Sequence, residues 1–584
     1  GSARRWYVRE ALLLAAGRGT RRFFRLLSPV HDMRDDGSSR SWPWLQDARY
    51  AVRTLRRSPA FTLFTAGVIA LGVGATTAVY SVLRPLMLAP LPFEEPHELV
   101  WIQNEAEPAD QSSLSAVTSR SGNLRDFRER ATRSFQGLTG YNAFSDQSTW
   151  NLTGEGTPES LDAYQVAHDL LEVLGVRPLH GRGFRQAEGE AGGPRAVLLS
   201  HGFWERRFGG DASVVGRTVQ LNREPYEVVG VLPPSFDFAS FFAPGRTVDL
   251  LLPFPVGEAT DRWGNTMFFV GRLQEGVPPR AAQAELDAVV AGLQEAQPDR
   301  WGLGAEVTPL QTRIAQPLAP ALLLLLGAAA TVLLIVAVNV TNLLLARAPR
   351  RSREMVVRKA LGASRRRLVR QLVLESVFTA ALGSVAGVAV AWVTTRWVAS
   401  STGLQIPLLH QVEVDAGAAG VGVAVALLTG LVVGAVPALG LREGGEAEAL
   451  RAGGRGSSAG RASRRLQEGL VVGEVALACG ILVVGGLLLR SFQAVLEVDP
   501  GYESEGVVAW RINPSEQFES NDAILEYFQA FPRAVAELDG VEAVGVIDRL
   551  PLEGNRSWGF QVAGRPEEES EGLGLFPHIV DPGY

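Results

Sequence analysis

Five stretches of this sequence run for about twenty residues or more with at most one charged side chain, and nothing else constrains the chain as strongly. They are Ser58–Leu83, Ile314–Ala346, Ser376–Thr395, Ala416–Leu441 and Gly469–Leu489, the last with Glu474 near its start. About 20 apolar residues in a helix cover the roughly 30 Å hydrocarbon core of a bilayer. Lipid offers no water to backbone N–H and C=O groups, so such segments must be helical. Buried helices of soluble proteins are shorter and less uniform, and all five stretches are read as membrane spans.

The arginines set the direction. Arg49, Arg53, Arg56 and Arg57 precede the first span. Residues 347–370, between the second and third, hold ten basic residues and one acid, Glu354. Arg442, Arg451, Arg455, Arg461, Arg464 and Arg465 lie between the fourth and fifth. Five spans place all three segments on one side, the cytoplasmic one. Residues 89–314 and 493–584 are then external, and the former carries 30 acidic and 19 basic residues. Residues 3–28 mix arginines with Trp6, Tyr7, Phe23 and Phe24 and read as an amphipathic helix on the inner leaflet. A cleaved signal peptide does not fit, because the apolar run Ala11–Ala16 is short and arginines follow it.

The expected organisation is a cytoplasmic amphipathic segment and linker (1–45), a leading helix with span 1 (46–88), and an external domain (89–314). A domain of spans 2–4 (315–442) follows, with a cytoplasmic connection at 347–375. A cytoplasmic linker (443–468), span 5 (469–490) and the start of a second external domain (491–584) complete the chain. The fold class is an α-helical membrane bundle plus a mixed α+β external domain. Within that domain LVWIQ (99–103), TVQLN (218–222), YEVVGVL (226–232), VDLLLPF (248–254) and AEVTPL (305–310) read as strands, and 278–297 as a helix.

Composition removes several function classes. A net charge of −6 argues against a nucleic-acid partner. One cysteine, Cys479, rules out a disulfide framework and a multi-cysteine metal site. The single lysine, Lys359, sits in VVRKALGA with no glycine loop before it, so no phosphate-cradling Gly-x-x-x-x-Gly-Lys-Ser/Thr is present. His168, His180 and His201 stand apart, with no His-Glu-x-x-His and no Gly-x-Ser-x-Gly, and Ser200-His201 lacks the flanking glycines of a nucleophile elbow. No catalytic residue, cofactor or metal is expected, and a membrane-anchored ectoenzyme is disfavoured.

Four segments carry a family resemblance. They are DARYAVRTLRRSPAFTLFTAGVIALGVGATTAVYSVL (47–83), SHGFWERRFGGDASVVGRTVQLNREPYEVVGVLPPSFDF (200–238), LLLLLGAAATVLLIVAVNVTNLLLARAPRRSREMVVRKALGASRRRLVRQLVLES (322–376) and RRLQEGLVVGEVALACGILVVGGLLLRSFQAVLEVDPGY (464–502). Together they resemble MacB/FtsX-type permeases of ABC transporters, in particular the long, internally duplicated permeases without a fused ATPase. The halves echo each other: an arginine cluster, a span, then an external segment opening with a proline-containing strand, APLPFEEPHELVWI at 89–102 and VDPGYESEGVVAWRI at 498–512. A complete member would have eight spans. The chain starts at Gly1 rather than Met and stops at Tyr584 inside an external segment, so it is expected to be cut at both ends.

The resemblance implies a multi-pass protein of the bacterial inner membrane that relays ATP hydrolysis on a separate cytoplasmic ABC ATPase to its periplasmic domain. Cargo would be a hydrophobic drug, peptide or lipoprotein handled on the far side, with a periplasmic adaptor or outer-membrane channel as further partners. The alternative is a signalling scaffold that activates a periplasmic partner such as a cell-wall hydrolase. ATPase coupling is expected at Glu354, Arg358, Leu361, Gly362 and Ala363, where Glu354 and Arg358 are spaced i, i+4. The arginines there also suit anionic lipid headgroups. Gly383 with Gly387 and Gly430 with Gly434 have the spacing of close helix packing. Asn339 and Asn342 are expected to hydrogen-bond between helices, and Cys479 to fill space.

Overall fold

The structure is a computed structural model. It describes residues 43–105, 114–145, 149–154, 157–297, 304–360, 364–399, 414–439, 458–499, 506–512 and 520–548, with short pieces as far as residue 581. The amphipathic segment at 3–28 lies outside the described residues. The main helices in chain order are α1 (Pro43–Arg57), α2 (Pro59–Leu83), α3 (Ser121–Arg130), α4 (His201–Phe208), α5 (Pro279–Ala296) and α6 (Leu310–Ala315). They continue as α7 (Ala319–Ala360), α8 (Arg365–Ala399), α9 (Ala416–Leu439), α10 (Ser458–Leu496) and α11 (Asn521–Ala536). The chain divides into a helical unit (residues 1–82, 322–400 and 412–491) and an external unit (83–321, 401–411 and 492–584).

The helical unit contains five helices long and apolar enough to cross a membrane: Pro59–Leu83, Ala319–Arg347, Arg366–Val398, Ala416–Ala435 and Gln467–Leu496. A core of Ile69, Val73, Val336, Val340, Ala380, Ala426 and Val433 joins the first four. The fifth has no buried side chain across its most apolar stretch. Helix α1 turns Asp47, Ala51 and Leu55 inward at four-residue spacing and leaves Arg49, Arg53, Arg56 and Arg57 exposed. Ser58 separates α1 from α2, and Pro59 opens α2, where a missing N–H costs nothing. The Thr62 hydroxyl bridges the break, lying 3.1 Å from both the Leu55 and Ser58 carbonyls.

Among the described residues, the main sheet of the external unit has twelve strands. Six of them form a closed ring: β10 (Leu250–Pro253), β7 (Ala196–Leu199), β9 (Glu224–Val231), β8 (Thr218–Leu221), β4 (Thr149–Thr153) and β5 (Glu159–Val166). The ring closes because β10 pairs with β5 in parallel, Leu250 opposite Ala163. Between β8 and β9, Asn222 and Arg223 both have φ near +60°, as a tight two-residue hairpin turn requires. Strand β5 leads through β3 (Phe135–Asn142) to β11 (Asn265–Leu273), β1 (Leu99–Gln103) and β12 (Glu306–Pro309). Val197, Val228 and Leu250 of the ring form one buried cluster with Phe203 and Trp204 of α4. The open part packs Ile102 and Phe269 against Phe127 of α3 and Leu286 and Leu293 of α5.

All the strands expected from sequence in this domain are present, and β2 (Ser119–Arg120), β3, β4, β5, β6 (His180–Gly181), β7 and β11 join them. The expected strand at 498–512 is not seen: among the described residues, 506–512 have no ladder. A strand needs a neighbour to take its backbone groups. The 99–103 strand finds β11 and β12, whereas 506–512 finds none among the described residues.

Candidate functional site: the cytoplasmic end of the span bundle

At the cytoplasmic end, α7 continues beyond its apolar part as one helix through the arginine-rich connection to Ala360, and α8 begins at Arg365. Glu354 and Arg358 sit on the last turns of α7; Leu361, Gly362 and Ala363 lie outside the described residues. The Arg347 guanidinium stacks 3.4 Å from the centre of the Phe61 ring, against the first turn of α2. Asp47 of α1, only 1% exposed, faces the start of α8. Arg370 donates to its Oδ2 from Nε at 2.7 Å and again from Nη2, and Gln371 Nε2 donates to Oδ1 at 2.9 Å. Arg367 Nε is 3.6 Å from Oδ1.

The four glycines sit where helices approach most closely. A Cβ on Gly383 would stand 2.8 Å from Ile69 Cγ2, and one on Gly387 would stand 2.9 Å from the Ala70 carbonyl, both on α2. On α9, a Cβ at Gly430 would come within 2.8 Å of Ala380 Cβ and one at Gly434 within 3.0 Å of Val373 Cα, both on α8. Asn339 donates to Glu474 Oε1 at 2.6 Å, linking α7 to α10. Asn342 Oδ1 is buried with no hydrogen-bond partner among the described residues. Cys479 is exposed. A cavity of about 20 Å³, lined by Thr65, Glu375, Ser376, Thr379 and Thr429, lies between these spans.

In the external unit, the Gln311 amide of α6 donates to the Ala89 carbonyl at 2.9 Å, just past the π-helical turn Arg84–Leu88 that follows α2. Arg313 stacks 5.4 Å from the Trp101 ring on β1. Arg272 of β11 is 8% exposed and donates to the Val173 and Glu94 carbonyls at 2.8 Å each. These contacts bind both connections to the membrane spans into the sheet. His180 and His201 both meet the Trp204 ring edge-on, at 5.4 and 5.5 Å. Ser200 is the N-cap of α4 and accepts from Phe203 N, a structural duty.

Asp47, Gln311 and Arg272 were missed in the sequence. The one available signal was Asp47 itself, the only acid in an arginine-rich helix and set on its apolar stripe.

A family model described as "MacB-like periplasmic core domain" matches residues 62–289. One described as "FtsX-like permease C-terminal" matches residues 326–443, covering most of spans 2–4. The chain is a MacB/FtsX-like ABC transporter permease. It is a multi-pass inner-membrane protein with a large periplasmic domain. Among its relatives is the probable syringafactin export ATP-binding/permease protein SyfD of Pseudomonas syringae pv. tomato, 26% identical over 200 residues, covering 34% of this chain and 29% of that one. Another is the ABC transporter permease YknZ of Bacillus subtilis, 23% identical over 350 residues, covering 58% and 81%. The chain thus spans under a third of SyfD and four-fifths of YknZ. A crystal structure of the extracellular domain of a noncanonic ABC-type transporter YknZ from Gram-positive bacteria is 13% identical, covering 36% of this permease and 99% of that chain, with a TM-score of 0.26.

Proposed function

We propose that this permease is the moving membrane part of an exporter driven by a separate cytoplasmic ATPase. Nucleotide turnover on that subunit shifts the connection at 347–375, the spans relay the shift, and the periplasmic domain extrudes or extracts a hydrophobic cargo. The observation that carries this reading is the continuity of α7, one helix of 42 residues from the outer face into the arginine-rich connection. A helix is stiff along its axis, so a push at Glu354–Ala360 reaches the outer end of span 2 with little loss. SyfD joins ATP-binding and permease parts in one protein; here the ATP-binding part is proposed to be a separate subunit, in keeping with Lys359 being the single lysine of the given residues and lying in no phosphate-cradling loop. The exposed arginines of α1 suit anionic headgroups of the inner leaflet. A periplasmic adaptor or outer-membrane channel would complete export.

Leu361, Gly362 and Ala363 are the proposed contact with the ATPase, the small Gly362 and Ala363 allowing close approach beside the apolar Leu361. Replacing Leu361 and Gly362 together by Glu and Arg should abolish co-purification of the ATP-binding subunit. An unchanged complex would overturn this assignment. Faster ATP turnover on adding a hydrophobic cargo favours export, while turnover that responds only to a secreted hydrolase favours the signalling alternative.

A further inference from the structure

We propose that Asp47 is a positioning residue of the coupling apparatus: it pins α1 to the cytoplasmic start of α8, so that motion entering at α8 is also delivered to the base of span 1. The proposal rests on the coupling function proposed above and extends it to a helix that lies outside the expected contact.

A helix that merely rests on the inner leaflet would turn an apolar stripe toward the acyl chains and its charges toward water. Helix α1 instead buries a carboxylate in that stripe, between Ala51 and its own N-terminal end, with its arginines on the outside. Both oxygens of Asp47 are engaged: Oδ2 by two nitrogens of Arg370, and Oδ1 by Gln371, with Arg367 nearby. Burying a carboxylate is unfavourable unless its donors stay in place, so a slide of α1 by one turn along α8 would strand the charge. The contact therefore has one register. It joins α1 to the first turns of α8, immediately after the connection at 361–363. The Thr62 hydroxyl then carries α1 across Ser58 into α2, and α2 is the span that leads into the periplasmic domain. Packing at Gly383 and Gly387 holds α8 to α2 higher in the membrane, so losing the pin should leave the bundle folded while freeing α1.

The test uses the full chain with Cys479→Ser in lipid nanodiscs, a spin label at Val52→Cys, and three pin variants: Asp47→Ala, Asp47→Arg, and Asp47→Arg with Arg370→Asp. The label should become mobile in the first two and return to wild-type behaviour in the charge-swapped pair. In complexes purified through this chain, Asp47→Ala should still bring down the ATP-binding subunit. Its permease-dependent ATP turnover should fall about tenfold, an ordinary coupling free energy, with the swap restoring it. A label as immobile in Asp47→Ala as in wild type, or no rescue by the swap, would overturn the pin. A mobile label with turnover unchanged would leave the pin standing and overturn its role in coupling. If the wild-type chain brings down no ATP-binding protein, the coupling function itself falls, and the label still decides the pin.

Discussion

Glu188 shows at the scale of one residue how the periplasmic domain is stapled. Its carboxylate accepts from Arg182 Nη2 at 2.6 Å and Nη1 at 3.0 Å, and from the Arg185 N–H at 2.7 Å. Burial pushes its pKa up, but the Arg182 guanidinium and the Arg185 N–H outweigh burial and hold it below the ordinary carboxylate range. Glu285 is held down in the same way, with burial opposed first by the Ser134 side chain and then by the Arg133 and Ser134 N–H groups. A depressed folded-state pKa means stabilisation that is present above the ordinary carboxylate value and lost as pH falls through the folded one. Burial raises Asp249 instead, so its ionisation opposes folding as pH rises through its folded value. Periplasmic-domain melting, followed by scanning calorimetry of the full chain, should therefore hold steady from neutral pH and fall below about pH 4.5. Glu188→Gln should lower the neutral-pH Tm and flatten that acid limb; an unaltered limb would remove the staple. None of these pairings was legible in the sequence, because Glu188 and Arg182 share only local spacing and Glu285 meets residues 151 and 152 positions away.

The helices divide according to whether their small residues meet a neighbour. Gly383, Gly387, Gly430 and Gly434 would each push a Cβ against backbone or side-chain atoms at about 3 Å or less, whereas Gly469, Gly473 and Gly480 on α10 have nothing within 4 Å. Overpacking typically costs about 1–3 kcal/mol. Gly387→Leu and Gly430→Leu should thus lower the unfolding midpoint of the span bundle in SDS titration, while Gly473→Leu and Gly480→Leu leave it within error. Equal effects at both sets would remove the packing role. The spacing of these glycines could be seen in sequence; which pairs find a partner could not, since glycine-rich spans contain many chance matches. The strands follow a similar rule. Strands β1, β9 and β10 stood out as apolar runs, but β5 (ESLDAYQV) and β3 (FQGLTGYN) carry acids or glycines and are strands because partners hold them on both sides.

The whole molecule is ordered by where charge may go. Arginine-rich segments on one side and an acidic domain on the other allow one orientation. In right-side-out cells carrying the Cys479→Ser change, Trp263→Cys should react with an impermeant maleimide at once, and Arg365→Cys only after the membrane is opened. Reaction at Arg365→Cys from outside would overturn the orientation. The sequence by itself determined the five spans, their direction, the α+β character of the periplasmic domain and the family, because each is written in local hydropathy, charge and contiguous motifs. Only the tertiary structure decided that β10 closes a ring on β5, that Gln311 and Arg272 bind the span connections into the sheet, and that Asp47 is buried beneath Arg370. Those are contacts between residues tens to hundreds of positions apart, and their energy depends on desolvation and donor geometry, which no stretch of neighbouring residues encodes.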